Sequence, residues 1–221
     1  MAVPAHELVP AHPRLAEVLD RHGALVQRGM PVEAPAAGAW SLAELRGRLS
    51  ELSAGPQPAV LTVAVELVRQ VQAAGEPAAW VAATGDLFHA PDVAACGVDL
   101  VALPVVRADD AASAGRAADL LLRSGAFALV VIDLGRGGRL ATPLQSRLVQ
   151  LARRHEAAVL CLTGAAADAP SLGSLVSLRA VASRRRLAPG RHACEVTAIK
   201  DKRQGPGWRW EGVWHGPDGL A

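Results

Sequence analysis

Two lysines, Lys200 and Lys202, are the only ammonium-bearing side chains of this 221-residue chain. They end a run in which Arg179, Arg184, Arg185, Arg186, Arg191, Lys200, Lys202 and Arg203 face only Glu195 and Asp201. Cations at that density could contact nucleic-acid phosphates or the carboxylates of an acidic partner, or could simply keep an exposed sheet edge solvated. Just beyond them, Trp208, Trp210 and Trp214 are spaced so that all three point to one face of a strand. Tryptophan is enriched in interface hot spots, so these residues form either a partner-binding patch or a cover over the sheet edge of the same molecule. Among the carboxylates, Asp133 ends the apolar run LVVIDL, a place that suits a magnesium ligand as well as a capping or solvated group. Gly135-Arg136-Gly137-Gly138 follows it and could pass for a phosphate loop. It has no lysine and reads as a shortened surface turn. There is no GxSxG, HExxH or paired His/Cys motif. Cys96, Cys161 and Cys194 lack metal-ligand spacing and read as buried, reduced thiols rather than a zinc site or disulfide framework.

The elements that must carry these groups show in the periodicity. Residues 59–72 repeat apolar side chains at helical spacing, and residues 109–124 and 142–155 read as further helices. Residues 78–83, 99–106, 129–134 and 157–162 are apolar runs between them. Continuous apolar strands alternating with helices predict a parallel sheet covered on both faces, the α/β class. After residue 170, residues 177–187, 191–200 and 208–214 read as consecutive strands joined by Pro/Gly turns, an antiparallel edge to that sheet. Residues 1–40 form an N-terminal extension broken by prolines, with one short helix over 13–27. Residues 41–48 open the core with a capping box, Ser41 at the N-cap and Glu44 at N3. A hydrophobic fraction of 51% supports a real core, and a net charge of +2 announces neither a nucleic-acid nor a membrane binder. The first residues lack an apolar run long enough for a signal peptide or membrane span, which predicts a cytoplasmic protein.

Four stretches carry a resemblance to the RecA family: GRLSEL at 47–52, AAWVAATGDLFHAPDVAACGVDL at 78–100, LLLRSGAFALVVID at 120–133 and VTAIKDKRQGP at 196–206. In order and spacing they are similar to the strand before that family's phosphate loop, the passage to its LGVD turn, the Walker B strand, and the K-x-K hairpin. The resemblance spans roughly residues 40–215 and implies a RecA-like core with an antiparallel C-terminal hairpin. Within the family the chain looks most like ImuA-type proteins, given its short length, its missing C-terminal recombinase domain and its tryptophan-rich close. That resemblance implies a role in SOS-induced translesion mutagenesis in the nucleoid. The partners it implies are RecA, an ImuB-like inactive Y-family polymerase homologue and a DnaE2-type error-prone polymerase III subunit.

The same resemblance exposes what is missing. Where the family's Walker A loop stands, residues 53–62 read SAGPQPAVLT. Such a loop needs glycines whose amides wrap the phosphates and a lysine that reaches them. Gly55 remains, Pro56 and Pro58 remove amides, and neither lysine of the chain is near in sequence. The family's water-orienting glutamate matches Gly85, with Asp86 beside it, and its sensing glutamine falls near Thr163-Gly164. Asp133 alone matches Walker B. The chain is therefore expected to lack ATP hydrolysis and to need no cofactor. The two DNA-gripping loops also look reduced, to 135–141 and to a short Ala/Ser-rich stretch at 164–175 without a basic residue. By resemblance, Lys200 and Lys202 are expected to help the chain dock on a RecA protomer. The alternatives are a residual ATPase, a weak single-stranded-DNA-binding module using the arginine stripe, and a SulA-like cell-division inhibitor.

Overall fold

The computed structural model describes residues 31–33, 40–83, 88–135 and 137–215. Among the described residues, nine strands form one sheet: β1 (Pro31–Glu33), β2 (Leu49–Ala54), β3 (Ala78–Ala82), β4 (Val105–Arg107), β5 (Leu129–Asp133), β6 (Ala158–Ala166), β7 (Leu178–Ala188), β8 (Arg191–Asp201) and β9 (Arg209–His215). The helices are α1 (Leu42–Leu45), α2 (Val60–Ala73), α3 (Ala90–Ala95), α4 (Ala111–Arg123) and α5 (Thr142–Arg154). The strand order is β1-β9-β8-β7-β2-β6-β5-β3-β4. From β7 to β4 every neighbouring pair is parallel, whereas β7–β8, β8–β9 and β9–β1 are antiparallel.

Why the central strands read as unbroken apolar runs is now plain: β3 and β5 are buried on both faces. One core layer lies under α2, where Val63, Leu67 and Val71 meet Leu52, Val131, Leu160 and Val196. The other lies under α4 and α5, where Ala118, Leu122 and Leu148 meet Val130, Ile132 and Cys161. Each buried Leu or Ile contributes roughly 1.5–3 kcal/mol, so two such layers hold the sheet rigidly enough to fix a site at its edge. Beyond β2, alternate residues of β7 to β9 enter the core cluster on the α2 side, and most of those on the other side are half-buried or exposed, Arg179 and Ala193 being buried.

Several expectations need correction. The segment 41–48 is one helical turn, because the Ser41 hydroxyl makes no cap bond and Arg48 already leads into β2. The Glu44 carboxylate accepts instead from the Gln204 side chain at 2.6 Å. Of the run 99–106, only Val105–Arg107 is strand. Gln72 holds the backbone of Asp99 through its N–H and C=O, both at 2.9 Å, and the Asp99 carboxylate accepts from the Val101 amide. That turn leaves Val101 98% exposed, so its apolar character belongs to no core. The helix expected over 13–27 lies outside the described residues. Pro31–Glu33 of the extension adds a strand beside β9. Among the described residues, no helix is long and apolar enough to cross a membrane.

Candidate functional site

Parallel strands place their C-terminal ends on one side of the sheet, where ligands of open α/β folds bind. There a cavity of about 220 Å³ opens between β2, β5, β6 and the start of α2. Ala54, Pro58, Leu61, Asp133, Leu162 and Thr163 are among its lining residues. Asp133 is buried, and its Oδ1 accepts the Gly135 amide at 3.0 Å. It stands at the end of β5 and lines the cavity. Gly85 and Asp86 lie outside the described residues.

The loop 55–59 borders this cavity through Pro58 and Ala59 and is sewn to β7. The amides of Gly55 and Ala59 both donate to the Ala182 carbonyl, at 2.9 and 3.4 Å. Pro56 and Pro58 have no amide, Pro58 bridges Ser183, and the Gln57 carbonyl accepts from the Arg184 amide at 2.8 Å. Gly55 is needed for this docking: a Cβ there would lie 2.8 Å from the Ser183 Cβ and 3.1 Å from the Ala182 oxygen. The glycine that survives from a phosphate-loop pattern thus serves close packing against a neighbouring strand. Of the five backbone positions 55–59, two are prolines without an amide and two donate to β7.

On the opposite face of the sheet, the stretch 164–177 descends between α5 and β7 under a series of tethers. Glu51, 1% exposed in the middle of β2, accepts from the Ser171 hydroxyl at 2.6 Å and the Leu172 amide at 3.0 Å. Its other oxygen faces Thr163 and the Arg179 guanidinium, both at 3.4 Å. Arg179 also donates to the Ala166 carbonyl. Buried Gln145 donates to the carbonyls of Leu140 and Leu172, linking this stretch to the shorter loop after β5. Lys202 donates to the Ser174 carbonyl at 2.6 Å, and Arg48 to the hydroxyl and carbonyl of Ser177. Ala166, Ser171, Leu172 and Ser174 of the longer segment are thus tethered, and the shorter one is held at Gly135 and Leu140.

The cationic run divides accordingly. Arg179 is buried against Glu51 and does not belong to a surface stripe. Arg203 caps the carbonyls of Glu44 and Arg46. Lys200 lies opposite Arg179 in the β7–β8 ladder, where burial lowers its pKa and the neighbouring cations Lys202 and Arg179 push it further down. Arg184, Arg185 and Arg186 are exposed at the far end of β7. The tryptophans point inward: Trp210 and Trp214 are each 5% exposed, with ring centroids 5.8 Å apart, and the half-buried Trp208 donates its indole N–H to Asp201. The exposed tryptophan patch envisaged from the spacing does not form, because Trp210 and Trp214 join the core cluster that Cys194 and Val196 of β8 share with α2.

Sequence reasoning missed Glu51, Gln145 and the pair of Arg48 with Asp201, whose side chains are 2% and 1% exposed. A glutamate in the middle of the strand LSELSA was the available signal, since a carboxylate between core positions needs a buried partner. Burial also raises the thiols of Cys161 and Cys194, the latter to about 11, so both stay protonated at neutral pH.

No family model matches the chain. Among curated proteins it is similar to Protein RecA of Salinispora arenicola, 36% identical over 136 residues, covering 55% of this chain and 38% of that protein. It is 37% identical over 123 residues to Protein RecA of Picosynechococcus sp., covering 49% and 34%. To Protein RecA of Deinococcus radiodurans it is 34% identical over 136 residues, covering 55% and 36%. The chain spans little more than a third of the length of these relatives. Relationship over half the chain, a mostly parallel helix-flanked sheet and an antiparallel C-terminal hairpin set together give it a RecA-like core.

Proposed function

We propose that this chain is a non-catalytic RecA-like adaptor of DNA-damage-induced translesion mutagenesis that docks on RecA and on an ImuB-like polymerase homologue. The observation that carries this reading is the loop 55–59, whose glycine and amides serve β7 and whose helix start has no lysine. The ImuA-like resemblance supplies the pathway and partners, including the DnaE2-type polymerase. Pinning of the segment 164–177 favours a fixed scaffold over a nucleic-acid clamp.

The direct test is titration of a fluorescent ATP analogue with magnesium. No saturable binding is expected, and micromolar binding with turnover would replace the adaptor by a residual ATPase. Docking on RecA is checked with the Lys200→Ala/Lys202→Ala double variant, which is expected to weaken capture by immobilised RecA about tenfold through loss of cations at the partner surface. Unchanged capture would remove those lysines from the docking surface.

A further inference from the structure

The exposed arginines occupy a sheet edge. Pairing of β2 with β7 ends at Ala54–Ala182, and the loop extends the contact by two residues, to Pro58–Ser183 and to the Arg184 amide on Gln57. The strand itself continues to Ala188, held on its other side by β8 with a register shift between Arg186 and Ala188, so regular alternation runs as far as Arg186. Backbone groups of alternate residues point to the same side of a strand. Ala182 accepts and Arg184 donates towards the loop, so the N–H and C=O of Arg186 point that way too. Among the described residues, this stitching stops at Arg184. Arg184 and Arg186 share one face of the edge and Arg185 the other, where it meets Glu211 at 3.3 Å. Leu187, 40% exposed, follows them.

We propose that the edge of β7 from Arg184 to Ala188 receives an extended acidic segment of a partner protein, which adds to the sheet as a further strand. A bare edge is a hazard because any strand can pair with it, and arginines on both faces repel a second copy of this edge. The same charges select a strand with alternating carboxylates. Residues i and i+2 repeat at roughly 6.6 Å on both strands, which sets Asp or Glu against Arg184 and Arg186 while main-chain bonds form at Arg186. Nucleic acid fits this edge less well. Three arginines neutralise about three phosphates, giving a logarithmic salt slope of only about −2 on a single strand. Glu195 and Glu211 also sit among the cations on the Arg185 face. This inference builds on the adaptor reading and names the chemistry of one docking segment.

The test uses the full chain and a fluorescein-labelled decapeptide of alternating Glu and Thr, read by anisotropy. Arg184→Glu/Arg186→Glu should weaken binding at least about tenfold. Arg116→Glu/Arg154→Glu, the same change of charge at exposed sites elsewhere, should weaken it by less than about twofold. Arg186→Pro, which removes the outward amide, should lose about fivefold more than Arg186→Ala. No peptide binding, equal losses in the two charge-reversed pairs, equal effects of Pro and Ala at 186, or tighter binding of oligodeoxythymidylate than of the peptide would each overturn the proposal. Failure here leaves the adaptor reading standing, since that reading is tested by nucleotide titration and RecA capture.

Discussion

Glu51→Ala is expected to lower unfolding stability by about 3–5 kcal/mol, because it leaves the buried Arg179 guanidinium without its counter-charge. The carboxylate has several roles at once. It faces Arg179 at 3.4 Å, accepts from Ser171 and Leu172 on the crossing segment, and meets Thr163 at the end of β6. Alanine removes all of them and creates a void in the sheet. Glu51→Gln keeps an acceptor near Ser171 and Leu172 but not the charge, so its loss should fall between alanine and wild type. Urea unfolding measures the free energies. Amide hydrogen exchange over residues 166–177 measures the local consequence, and the protection of Leu172 should fall most. The exposed pair Arg46–Glu76, with side chains 33% and 40% accessible, provides the contrast, since breaking it should cost about 0–1 kcal/mol. A Glu51→Ala loss no larger than that would show that the buried pair does not hold the segment.

How much of this was legible follows from what each inference needed. The runs AAWVA, LVVID and AVLCL gave the parallel core because burial on both faces leaves a strand no polar side, a property of the strand alone. The two prolines and the absence of lysine in residues 53–62 were legible directly, since they need no tertiary information. Where that loop went instead was not legible: it depends on β7 lying beside β2, a contact between residues over a hundred positions apart. The tryptophans were legible only in part. Their spacing put them on one side of the chain, but alternation does not say whether that side meets a partner or the core, and here it joins the core cluster on the α2 side. Arg179 looked like part of a surface run because its partner, Glu51, is remote in sequence and adjacent only through the β2–β7 register. Exposed Val101 was misread for a local reason: a Gln72 side chain captured the backbone that would otherwise have extended the strand.

The turn between β8 and β9 offers the second large effect, and one with a distinctive pH dependence. Asp201 accepts from the Arg48 guanidinium, from the Arg203 amide at 2.8 Å and from the Trp208 indole at 2.9 Å. Burial alone would raise its carboxyl, but the hydrogen bonds from Arg203, Arg48 and Trp208 outweigh it and hold the group below the ordinary carboxylate range. A carboxyl whose folded pKa is depressed contributes stability that is present above the unfolded value of about 3.9 and is lost as pH falls through the lower folded value. At neutral pH, Asp201→Asn faces the buried Arg48 guanidinium with a neutral amide and should lose about 3–5 kcal/mol. Below about pH 3.9 the carboxyl of the unfolded chain takes up its proton first and the native one only at its lower folded value, so the gap between variant and wild type should narrow. Urea unfolding of both proteins across the acid range gives that gap directly. If it stays constant as the pH falls, the loss comes from altered packing of the turn, and the charge on Asp201 is not what anchors the Lys200–Lys202 hairpin to the start of β2.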